Sequence, residues 1–109
     1  MRTLEELLFG PAPVDVSDQA NRAGIARRVC LTENAHNILT SCADGIPNLL
    51  TVLRQAMDAR RDLCLSPIPA GGIYLMVFLP GCRPPVQSFV ARQVNGAILI
   101  GRAGEKFWP

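Results

Sequence analysis

The sequence predicts one small α+β domain over residues 1–109: three or four N-terminal helices packed on a C-terminal three-stranded antiparallel sheet. Three observations lead there. Apolar residues recur at helical spacing up to residue 64. The texture changes after Ser66-Pro67-Ile68-Pro69-Ala70-Gly71-Gly72, where Ile73 to Leu79 is apolar at every position. Asn95-Gly96 then separates two β-like runs, Gln87 to Val94 and Ala97 to Arg102, and this pair is the strongest short signal for a type I′ hairpin. The reading divides the chain into a helical part (1–64), a sheet (73–102) and a tail (103–109). A chain of 109 residues supports one core and not two.

The first helix starts at Thr3, whose capping box closes on Glu6, with Leu4, Leu7 and Leu8 as its apolar face. Gly10-Pro11-Ala12-Pro13 stops it. Ser17 is a natural N-cap for the next helix, and Asp18 suits its first turn. Residues 18–44 read either as one long helix with Ile25, Val29, Leu39 and Ala43 in a stripe, or as two helices with Thr32 capping the second. Asp44-Gly45 ends the segment. Pro47 fits the first turn of a following helix. Ile46, Leu49, Leu50, Leu53, Ala56, Met57, Leu63 and Cys64 form its apolar stripe, opposite Arg54, Asp58, Arg61 and Asp62.

An all-apolar strand such as Ile73 to Leu79 is expected to be covered on both faces. The Asn95-Gly96 register places Val94 opposite Ala97 and Arg92 opposite Leu99. Phe89, Ala91, Ile98 and Ile100 then share one face, and Val90, Val94 and Leu99 share the other. Both faces need cover, and helices in the N-terminal half supply it for one. A homodimer, or the short N-terminal helix folding back with the Phe107-Trp108 tail, would supply the other, which nominates Tyr74, Phe89, Val90, Leu99, Phe107 and Trp108 as interface residues.

The net charge of +2, from 11 basic and 9 acidic residues, predicts neither a nucleic-acid nor a membrane partner. The basic residues are ten Arg and one Lys, Lys106, which hints at a GC-rich bacterial genome. Acidic residues stand where a signal peptide needs an apolar run, and no stretch reaches the roughly 20 apolar residues of a membrane span. A cytoplasmic location is expected.

Cys30, Cys42, Cys64 and Cys82 have neither metal-knuckle nor redox spacing, so four reduced thiols are expected, with no metal and no cofactor. Three lie among apolar neighbours and read as buried thiols. Cys82 differs: it sits in a Pro/Gly loop beside Arg83, whose charge favours a thiolate. His36, the single histidine, lies six residues from Cys30 and from Cys42, off the helix face of either, and reads as structural.

The segment Ala26-Arg27-Arg28-Val29-Cys30-Leu31-Thr32-Glu33-Asn34-Ala35-His36-Asn37-Ile38-Leu39 resembles a helix-turn-helix. The resemblance covers residues 26–39, with Cys30 at the usual turn glycine. It implies that Glu33, Asn34 and Asn37 approach base edges while Arg27 and Arg28 lie near phosphates. No paired carboxylates, phosphate loop or nucleophile–base pair is legible. The leading functional expectation is a small non-enzymatic bacterial or mobile-element protein that binds another protein, in a binding or regulatory role, with self-association as a homodimer. A helix-turn-helix DNA-binding regulator is the alternative, and a small enzyme using Cys82 comes third.

Overall fold

Among the described residues, five strands rather than three form the sheet. The computed structural model describes residues 13–66 and 68–104, so the Thr3 helix and the Phe107-Trp108 tail lie outside the described residues. The elements run β1 (Val14–Asp15), α1 (Ser17–Arg22), β2 (Val29–Leu31), α2 (Glu33–Thr40), α3 (Gly45–Asp62), β3 (Ile73–Phe78), β4 (Val86–Val94) and β5 (Ala97–Arg102). The sheet order is β1-β2-β5-β4-β3. β2 lies antiparallel to β1 but parallel to β5, while β3, β4 and β5 form an antiparallel meander. The expected three-stranded antiparallel sheet is therefore one part of a mixed sheet.

The added strands come from the segment read as helical. Val29–Leu31 is neither a stretch of one long helix nor the approach to a helical turn. It is a strand beside β5, with Val29 opposite Ile98 and Leu31 opposite Ile100. Both of its faces are buried, as a short strand between two neighbours requires. Ser17 does not cap α1 either: it is the first helical residue, and its hydroxyl accepts from the Val29 backbone N–H at 3.1 Å. Ser17 thus ties the start of α1 to β2.

Thr32 does what its residue type predicts. It is the N-cap of α2, and its Oγ1 accepts from the Ala35 N–H at 3.2 Å. Asp44 adopts a left-handed conformation with φ 60° and turns the chain into α3. A side chain at Gly45 would run into the Leu39 carbonyl, so glycine lets α3 begin directly against the end of α2. Along α3, Ile46, Leu49, Leu50 and Leu53 are buried. The helix ends at Asp62 and closes through Cys64 at φ 56°, whose N–H donates to the Arg61 carbonyl at 2.9 Å. Leu63 and Cys64 therefore leave the apolar stripe and are exposed.

The hairpin has the register that Asn95-Gly96 implies. Both turn residues have positive φ, 51° and 81°, with Val94 opposite Ala97 and Arg92 opposite Leu99. Phe89, Ala91, Ile98 and Ile100 point to one side and join Leu75, Val77, Val29 and Leu31 in the main core under Ala20, Leu39, Leu49, Leu50 and Leu53. Every described helix contributes to that core. The opposite side of the sheet has a small separate cluster of Cys30, Val90 and Leu99, with Val94 against it.

Candidate functional site

Strand β3 breaks the expectation of cover on two sides. Leu75 and Val77 are buried beneath α3, but Tyr74, Met76 and Phe78 are 73%, 61% and 58% exposed. Alternation in the backbone sends these three to the side away from the described helices. Cross-strand pairing extends the patch: Tyr74 lies opposite Val90, and Phe78 opposite Val86, which is also exposed. Ser88 donates from Oγ to the Met76 sulfur at 3.2 Å.

β3 is also an edge of the sheet. Among the described residues, β4 is its one strand neighbour. Natural edge strands are usually short, charged, bulged or broken by proline. The opposite edge, β1, meets this rule with two residues, one of them Asp15. β3 has six residues, Ile73-Tyr74-Leu75-Met76-Val77-Phe78, with no charge and no proline.

Of the expected interface residues, Tyr74 stands on this surface. Val90 and Leu99 are buried in the small cluster on the same side. Phe89 lies in the main core under the helices, where no partner reaches it. Phe107 and Trp108 lie outside the described residues. Met76 and Phe78 are not marked by the sequence, because a run that is apolar throughout has no alternation to show which residues face outward, and Val86 stands alone between Pro85 and Gln87.

The residues grouped by the helix-turn-helix resemblance fall on unlike elements. Arg27 and Arg28 precede strand β2, while Glu33, Asn34 and Asn37 belong to α2. Two successive helices are not formed over residues 26–39, since Val29–Leu31 is a sheet strand. The arginines serve the fold locally. Arg27 donates from Nη2 to the Gly96 carbonyl at 3.3 Å, and Arg28 pairs with Asp15 at 3.4 Å. The Asp15 carboxyl is held below its usual range, first by hydrogen bonds from Ser17 and then by the Arg28 charge.

A shallow cleft between the Gly24–Arg27 loop and α3 gathers Arg27, Arg54, Asp58 and Arg61. Asp58 pairs with Arg54 at 3.6 Å and with Arg61 at 3.7 Å, and Arg54 also donates to the Ala23 carbonyl at 3.0 Å. The Arg54 bond to Ala23 ties the end of α1 to α3, while the two Asp58 pairs stay within α3.

The cysteines separate into unlike environments. Cys30 is buried, Cys64 is exposed, and Cys42 and Cys82 are half-buried. Cys42 follows α2 and Cys82 lies in the loop between β3 and β4, yet their Sγ atoms are 3.0 Å apart. The Cys82 thiol is pushed up, first by its hydrogen bond with Cys42 and then by burial. This is opposite to the thiolate that Arg83 was expected to favour. Among the described residues no cluster of three or more His, Cys, Asp or Glu could hold a metal ion, and no helix is long and apolar enough to cross a membrane.

Comparison with protein-family models, with curated proteins and with solved structures finds no match to this chain.

Proposed function

We propose that this chain is a non-enzymatic protein-interaction domain whose binding surface is the outer side of β3, and that it pairs there with a second copy of itself. The observation that carries the reading is the edge strand Ile73–Phe78, six uncharged residues with Tyr74, Met76 and Phe78 exposed on one side. Such an edge offers backbone donors and acceptors to an incoming strand. Its outward side chains give that strand apolar surface to cover, at about 25 cal/mol for each Å² removed from water.

A second β3 is a suitable partner because a two-fold axis beside the strand brings the same strand of each copy into antiparallel pairing and closes the assembly at two chains. Neither strand has a charged side chain to repel the other. The pairing would remove the one long edge and leave the two-residue β1 at each end of the joined sheet.

Light scattering on the purified full chain tests this. Self-pairing gives a mass near twice 11.8 kDa, returning to 11.8 kDa on Met76→Asp or Tyr74→Asp. Both substitutions are on exposed positions, so the folded monomer survives them. A wild-type mass of 11.8 kDa over a hundredfold or so range of concentration removes the second copy as the partner.

A further inference from the structure

We propose that Cys42 and Cys82 are a modification site, a dithiol that a small-molecule disulfide oxidises to an intramolecular bridge. The geometry carries this. The two Sγ atoms are 3.0 Å apart, and a disulfide bond is about 2.05 Å, so closure asks for roughly 1 Å of approach. The residues are 40 positions apart and come together only through the fold. Cys42 stands at the corner between α2 and α3, and Cys82 in the connection from β3 to β4. Both are packed against the main core while remaining half-buried rather than sealed. A small reagent therefore reaches a pair that is already positioned.

The other thiols do not share this arrangement. Cys30 is buried on the opposite side of the sheet with Val90 and Leu99. Cys64 is exposed past the end of α3. The pair is thus distinct within the set of four, and it joins Cys82 to a cysteine that the sequence does not single out.

The reaction is a two-step exchange with a small-molecule disulfide such as glutathione disulfide. One protein thiol loses its proton, and its thiolate attacks a sulfur of the reagent. The reagent's S–S bond breaks, one glutathione leaves as a thiolate that takes up a proton, and a mixed disulfide forms on the protein. The second cysteine, deprotonated in turn, attacks the protein sulfur of that mixed disulfide and expels the second glutathione. Two protein thiols have lost two electrons and two protons, and one disulfide has become two thiols. The product ties the α2–α3 corner to the β3–β4 connection, beside the end of the sheet where Phe78 and Val86 stand.

The test uses the full wild-type chain, purified reduced, exposed to excess glutathione disulfide without denaturant, then alkylated and mapped by peptide mass. The expected product joins the peptide containing Cys42 to that containing Cys82 and lacks two hydrogens relative to the separate thiol peptides. Cys64 instead carries glutathione or the alkylating group. The bridged protein should melt roughly 10 °C higher, because the bond restricts the unfolded chain. Reductant should abolish the rise, and Cys82→Ser should lack it. Recovery of Cys42 and Cys82 as two alkylated thiols, or as two separate glutathione adducts, overturns the proposal. So does a bridge from either of them to Cys30 or Cys64.

Discussion

Leu75 and Met76 are adjacent in one strand and similar in size and polarity, yet one is in the core and the other 61% exposed. The same contrast separates the two sides of the whole sheet. One side lies under α1, α2 and α3 and forms the continuous core. The other has the small cluster of Cys30, Val90 and Leu99 and the outward residues of β3. Composition does not distinguish the sides; cover does. An apolar residue is buried where helices or neighbouring strands exclude water from it, and at Tyr74, Met76 and Phe78 neither does so.

The largest effect should come from truncating this neighbouring pair. Leu75→Ala should cost about 2–5 kcal/mol in the denaturant midpoint, because it removes buried methyl groups and leaves a cavity. Met76→Ala should cost less than about 1 kcal/mol in protein dilute enough to be monomeric, since its side chain is in water there. Equal costs in the monomer would mean that the outer side of β3 is covered within the chain and would erase the distinction between the sides.

Two glycines sharpen the comparison at the level of the backbone. Gly45→Ala should cost roughly 2 kcal/mol, because the new methyl meets the Leu39 carbonyl across the α2–α3 corner on the covered side. Gly96→Val should cost about 1 kcal/mol, since nothing lies within 4 Å of that Cβ and only the φ of 81° resists it. Chemical denaturation of both variants checks the order, and a larger loss at Gly96 would contradict it.

The hairpin and the amphipathic face of α3 were legible, and the cap at Thr32 was one of two readings of its segment, because each is encoded over a few consecutive residues. Asn-Gly tolerates positive φ, a threonine hydroxyl caps the N–H three residues on, and four leucine or isoleucine positions repeat at helical spacing. β1 and β2 were not legible. Two and three residues are too short to show alternation, and Val29 stands four positions from Ile25, as in a helix. What makes Val29–Leu31 a strand is β5, some seventy residues later in the chain. The contact of Cys42 with Cys82 was hidden for the same reason. The outer surface of β3 was half legible: unbroken hydrophobicity revealed a strand that needs cover but not which residues lack it.

The smallest expected effect concerns the short edge opposite β3. The folded Asp15 carboxyl has its pKa depressed by Ser17 and Arg28. Its contribution is therefore present above the pKa of the unfolded chain and is lost as pH falls through the folded value. The carboxylate is half exposed, so solvent screening limits the contribution to a few tenths of a kcal/mol. Asp15→Asn should remove that fraction of the acid-side loss in denaturation curves taken from neutral pH to about pH 3. An unchanged pH dependence would show that neither the Ser17 hydrogen bonds nor the Arg28 pair stabilises the ionised carboxyl.

Amide hydrogen exchange along β3 at low and high protein concentration tests most directly whether its outer edge is a pairing surface. Half of the strand's amides point away from β4. The self-pairing account predicts that these exchange fast in dilute protein and slow markedly as concentration rises, while the amides bonded to β4 stay protected throughout. Fast exchange of the outward amides at every concentration, with the rest of the sheet protected, would contradict it.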